Sequence, residues 1–150
     1  MPIALILAAA LQAAAPAEPA SPPPIAGFET VRRYASDASQ DVAVGPRDLY
    51  AVSNFNIVRL DKKTGERRAE WTGQKARFPH INSCALIGGD LVCASSNFPA
   101  TPQVSTVEFF DPSTLAHRRS VSLGLGTGSI TWVDRKDGFW WAMFANYDAK

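Results

Sequence analysis

The stretch 78–99, FPHINSCALIGGDLVCASSNFP, decides the fold. It holds both cysteines of the chain, Cys84 and Cys93, and one of its two histidines, His80. Two apolar runs, CALI and LVCA, approach Gly88-Gly89, a two-residue signal for a β-hairpin. With those glycines as the loop, Ile87 faces Asp90, Leu86 faces Leu91, Ala85 faces Val92 and Cys84 faces Cys93. The pair flanking the loop is hydrogen-bonded and pairs alternate, so Cys84/Cys93 is a non-hydrogen-bonded pair. Its Cα atoms are expected about 4.5 Å apart, at the short end of the disulfide range. The pair is open to three assignments: a bridge, two buried free thiols, or a catalytic thiol. An oxidising compartment favours the bridge, and the short loop makes it a modest staple. The spacing is not Cys-x-x-Cys, so neither a zinc knuckle nor a thioredoxin-like motif is supported.

Outward from the hairpin, the chain repeats itself. Ser53-Asn54-Phe55, Ser96-Asn97-Phe98 and Ala145-Asn146-Tyr147 each follow a strand-like apolar run, with the asparagines 43 and 49 residues apart. VRLDKKTGERR also aligns with EFFDPSTLAHRR 50 residues on, placing Thr64 on Thr114 and Arg68 on Arg118. Each unit reads as four short strands, in the second unit at about 81–87, 90–96, 104–110 and 116–122. The turns at Asp61–Gly65 and Asp111–Thr114 suit an Asp that caps its own turn. The first two strands are apolar at nearly every position, which fits sheets buried on both faces. The fourth carries Arg pairs, as an outer edge guarded against pairing should. These features predict an all-β fold, a β-propeller of four-stranded blades at about 41–71, 81–122 and 128–147. The last blade lacks its outer strands, so the expectation is an N-terminal portion of about two and a half blades. A β-sandwich is the alternative.

The beginning of the chain differs in kind. Residues 1–17, MPIALILAAALQAAAPA, read as a signal peptide with an apolar run and an Ala-x-Ala site, although no Lys or Arg precedes the run. An apolar N-terminal helix is the alternative. A membrane span fits less well, because the run is short and Gln12 interrupts it. Residues 18–27 form a Pro-rich extended tether, and 28–150 the partial propeller domain. The expected location is periplasmic or extracellular. Lys plus Arg number 15 and Asp plus Glu 14, so charge supplies no case for a nucleic-acid partner.

In a propeller, the loops entering the first strand and leaving the second emerge on one face, around the channel mouth. That mapping brings together His80, Asn82, Ser83, Ser96, Asn97, Thr127, Ser129, Asn146, Tyr147 and Asp148, with Asn54 and Asn56 from the first blade. Each has a plainer role. An Asn at a strand end makes Asx turns, His80 can lock its loop, and Tyr147 can simply pack. Taken together, neutral hydrogen-bonding groups beside Phe98 and Tyr147 suit a small polar ligand, with His80 as the candidate base. No metal site is visible; Asn and Asp oxygens would hold calcium only with ligands from further blades. Asp48, Asp61, Asp90, Asp111, Asp134 and Asp137 belong to turns away from that face, so no two-carboxylate hydrolase site is seen. GLGTGS, 124–129, lacks the Lys and following helix of a phosphate loop.

HINS, SSNFPATPQVSTVEFFD and GSITWVDRKDGFWWAMFANY, within 78–147, resemble secreted bacterial β-propeller proteins, some of which are named cycloisomerase. More distantly the repeats are similar to gluconolactonase-type and glutaminyl-cyclotransferase-type propellers. The resemblance implies the fold and carries no catalytic residues over. The expectation is an exported propeller acting on a lactone or sugar acid, or a non-catalytic binding propeller of the cell envelope. Its partners would be a small polar molecule and the remaining blades of the same protein.

Overall fold

A computed structural model describes residues 27–125 and 128–147. The expected signal peptide, most of the tether, Thr127 and Asp148 lie outside the described residues. Residues 27–33, the described part of a first unit, hold no helix or strand and leave Phe28 and Val31 exposed. The second unit begins at Tyr34.

That unit is all-β, with no helix among the described residues. Its strands are β1 (Asp41–Val44), β2 (Asp48–Ser53), β3 (Asn56–Asp61), β4 (Arg67–Thr72), β5 (His80–Ile87), β6 (Asp90–Ser96), β7 (Val104–Phe110), β8 (His117–Leu125), β9 (Ser129–Lys136) and β10 (Phe139–Ala145). They form three antiparallel meanders: β1–β4, β5–β8 and the pair β9–β10. The expected strands of the second repeat reappear within three residues at each end, β6 and β7 with the same bounds.

Turn chemistry produces the hairpins. Gly88 and Gly89 both take positive φ, 59° and 88°, which a type I′ loop requires and glycine adopts without steric cost. Asp137 and Gly138 do the same between β9 and β10, at 53° and 83°. The register is the one the glycines dictate: Ile87↔Asp90, Leu86↔Leu91, Ala85↔Val92 and Cys84↔Cys93. It slips by one residue between Ile81 and Ser83, where Asn82 is the extra residue of a bulge. β9 has a matching irregularity, since Ile130 pairs with Phe144 and Trp132 with Met143, leaving out Thr131.

Cys84 and Cys93 are bridged, with Cα atoms 4.0 Å apart. Both are buried, which removes the catalytic-thiol assignment.

The turns after β3 and β7 are built alike. Asp61 Oδ1 accepts from Lys63 N and Thr64 N, and Asp111 Oδ1 accepts from Ser113 N and Thr114 N, all at 2.8 Å. Arg68 and Arg118 each clamp the other oxygen of their aspartate. The Thr64 backbone bond and then Arg68 hold the Asp61 carboxyl far below its ordinary pKa.

The core lies between the sheets. Leu91 and Cys93 point from β6 toward the first sheet and join Val52, Ile57, Ile81 and Phe110. Val92 and Ala94 point the other way and join Phe109, Ile130 and Val133. β6, inside the middle sheet, is therefore buried on both faces, which is why it reads as an unbroken apolar run.

Reduction of the bridge should raise the intact mass by two hydrogen atoms. Replacing Cys84 and Cys93 by Ala should lower stability by about 2–3 kcal/mol, the loop-closure value for so short a ring. Urea denaturation measures it, and an unchanged midpoint would contradict a stabilising bridge.

Candidate functional site

The expected residues gather where β5 begins and β6 and β10 end, but most of their hydrogen bonds are already committed. Because Asn82 is a bulge residue, its side chain leaves the β5 ladder and reaches the third sheet. Its Nδ2 donates to Ile130 O at 2.6 Å and lies 3.4 Å from Ser96 Oγ. Ser83 Oγ donates to Thr131 O at 2.9 Å. Ser129 Oγ donates to Ser96 Oγ at 2.7 Å, with both residues buried. Asn82, Ser83, Ser96 and Ser129 thus fasten the second sheet to β9.

Asn97 serves its own loop. Its Oδ1 accepts from Val104 N at 2.8 Å and its Nδ2 donates to Pro102 O at 3.0 Å. Asn54 accepts from Gln40 at its Oδ1, and its backbone oxygen accepts from Ile81 N at 2.6 Å. Asn56 Nδ2 donates to Glu70 and Thr72 on β4, outside the cluster. Asn146 follows β10 beside Gly128, where φ is +94° and a Cβ would stand 2.7 Å from Ala145 O.

A second group has aromatic surface to offer. The His80 ring lies 5.3 Å from Phe98, and Phe98 lies 4.8 Å from Tyr147, both pairs tilted. Tyr147 is half exposed. Burial pushes the His80 imidazole below its ordinary pKa, and a side-chain hydrogen bond with Asn82 partly offsets this. The ring is therefore neutral at pH 7, able to accept a proton or a hydrogen bond through one nitrogen.

Two features were missed in the sequence. Asp41 Oδ2 accepts the Cys84 N–H at 2.8 Å, tying β1 to β5. Glu108 is buried opposite Cys93. Thr106 Oγ1 at 2.6 Å and His117 Nε2 at 2.7 Å bond its carboxylate, as does Ser120 Oγ. Its signal was a carboxylate inside the apolar run VEFF. Glu108, His117 and Ser120 do not form a nucleophilic relay. Ser120 and His117 share one carboxylate oxygen, and hydroxyl and imidazole stand 3.4 Å apart. The His117 ring packs edge-on against Phe78 and Phe110 at 5.1 Å, so the cluster braces the outer hairpin.

Among the described residues, no three His, Cys, Asp or Glu side chains converge as a metal set. Nor is any helix there long and apolar enough to cross a membrane. Compared with known proteins, the chain matches no family model and no curated protein significantly. Fold and site define it as an all-β protein of repeated antiparallel sheets, stapled by one disulfide, with polar strand ends gathered beside an aromatic stack.

An NMR titration of His80 should give a midpoint below the ordinary 6.5. For a group whose folded pKa is depressed, the contribution to stability is present above the unfolded value and lost as pH falls through the folded one. Stability should therefore fall below about pH 6.5, and less steeply in His80→Asn. A midpoint at or above 6.5 would contradict the burial. Separately, Asn97→Ala should cost about 1–2 kcal/mol by freeing the loop amide and carbonyl groups it satisfies, measured by thermal unfolding.

Proposed function

We propose that the sheets are successive blades of an exported β-propeller, of which this chain supplies about the first two and a half. Its strand ends form a binding site for a small polar ligand at the channel mouth. The observation that carries the ligand reading is the stack of His80, Phe98 and Tyr147. A half-exposed aromatic face takes the apolar face of a sugar-like ring, while a neutral imidazole beside it bonds a hydroxyl or carbonyl. The substrate class that suits both is a lactone or sugar acid. In lactone opening, water adds to the ring carbonyl as His80 takes its proton. The ring C–O bond then breaks, and the proton passes to the leaving oxygen as a hydroxyl. Ring closure is the reverse.

A non-catalytic binding propeller of the cell envelope is the second reading. What favours it is that Asn82, Ser83, Ser96 and Ser129 spend their side chains on the neighbouring sheet or on one another. That leaves the His80 imidazole as the candidate base in the aromatic stack.

Calorimetry against a panel of aldonolactones and their open acids separates the two. His80→Ala should weaken binding about tenfold, equivalent to one good hydrogen bond, with the melting temperature held within a few degrees. Turnover that His80→Ala abolishes supports the enzyme, and tight binding without turnover supports the second reading. Loss of stability in His80→Ala with no effect on binding would refute a ligand role.

A further inference from the structure

We propose that β10 is an interior strand, and that the apolar groove beside it seats an antiparallel strand pair running on from the chain after β10. The proposal rests on the blade reading above but not on the ligand.

The groove, of about 320 Å³, lies between β7–β8 and the β9–β10 hairpin and is lined by Val107, Phe109, Val121, Leu123 and Trp140. The Arg119 guanidinium lies over the Phe109 ring at 3.4 Å. Of the exposed apolar side chains of β10, Trp140 lines the groove together with Ala142, whereas Phe139, Trp141 and Met143 lie on the other face of the strand. Apolar surface of this extent marks a surface that is covered in the working molecule.

The chain contains its own template for the cover. The 50-residue repeat places Ile57, Ala69 and Trp71 on Val107, Arg119 and Val121. In the first sheet those residues face the second sheet and are closed over by it: Trp71 packs edge-on to Phe110 of β7 at 4.7 Å, and Leu115 of the β7–β8 turn is buried in the same cluster. Their counterparts face the third sheet, where β9 and β10 supply inner strands only. Val121 consequently stays 40% exposed. The missing cover is a counterpart of β7–β8, hydrogen-bonded to β10 as β7 is to β6.

Edge chemistry agrees. The outer strands β4 and β8 carry Arg67, Arg68, Arg118 and Arg119, the charges that keep a free edge from pairing. β10, FWWAMFA, carries no charge and no proline.

The test is a chimera in which residues 97–125 are appended after Ala145, repeating the loop and the β7–β8 hairpin in phase. Tryptophan emission should shift to the blue, binding of an apolar dye should drop, and sedimentation should show a monomer. Ala142→Lys in the chimera, which sets a charge in the groove, should reverse the first two. A second measurement needs no chimera. The outward amides of β10, Trp140 and Ala142, should exchange fast in the parent chain. A synthetic peptide of residues 97–125 should slow them about tenfold. Unchanged emission and dye binding in the chimera, or a parent chain that dimerises and buries its tryptophans, would overturn the proposal. A closed groove in a chimera that binds no sugar would instead count against the ligand reading alone.

Discussion

The inner strands of the middle sheet have to bury both of their faces, and the rest of the structure follows from that. A sheet with one wet face alternates polar and apolar residues; this one cannot. β6 is buried at all but its first position, with Leu91 and Cys93 committed to one neighbour and Val92 and Ala94 to the other. Apart from the buried Glu108 of β7, most polar groups of this sheet fall at the strand ends and on the outer strand β8. The candidate ligand residues sit at strand ends for that reason, and the Arg pairs sit on the outer strands β4 and β8.

Packing three sheets face to face creates a second demand. β5 is an edge strand of its sheet, and a buried backbone edge without partners is costly. Side chains and loop backbone meet the demand. Asp41 takes the Cys84 amide and Asn54 O takes the Ile81 amide of β5, while Asn82 and Ser83 do the same for the edge of β9 by donating to the carbonyls of Ile130 and Thr131. The bulge at Asn82 is what turns that side chain toward the third sheet. Residues that look like a ligand set are thus partly a fastening between sheets. What they leave for a ligand is the aromatic stack and one neutral imidazole.

The two Asp turns show the same device used with different economies. Gly65 and Leu115 occupy equivalent left-handed positions, at φ 77° and 60°. A side chain there costs about 1–2 kcal/mol. Burying a leucine returns about 1.5–3 kcal/mol, and Leu115 is buried in the core between the first two sheets. At the Gly65 position a Cβ would meet the Tyr34 ring at 2.5 Å, so glycine is the residue that fits.

Much of the fold was legible in the sequence because it is local. Gly88-Gly89 dictates the register that brings Cys84 opposite Cys93, and an Asp followed by Thr three residues later closes its own turn. Unbroken apolar runs announce strands with two buried faces. The sequence by itself therefore determined the Gly88-Gly89 hairpin, its register and the repeat, and it set Cys84 opposite Cys93 without deciding that they are bridged. It could not say what the polar strand ends would bond to, because their partners are far away in the chain. Asn82 finds Ile130, and Ser129 finds Ser96, only when whole sheets stack. Glu108 stood out only as a carboxylate in an apolar run: its place beside His117, Thr106 and Ser120 depends on which face of β7 turns inward. Tertiary structure alone decided which side chains hold sheets together and which remain to meet a ligand, since hydrogen-bond partners are chosen by proximity in space and not in sequence.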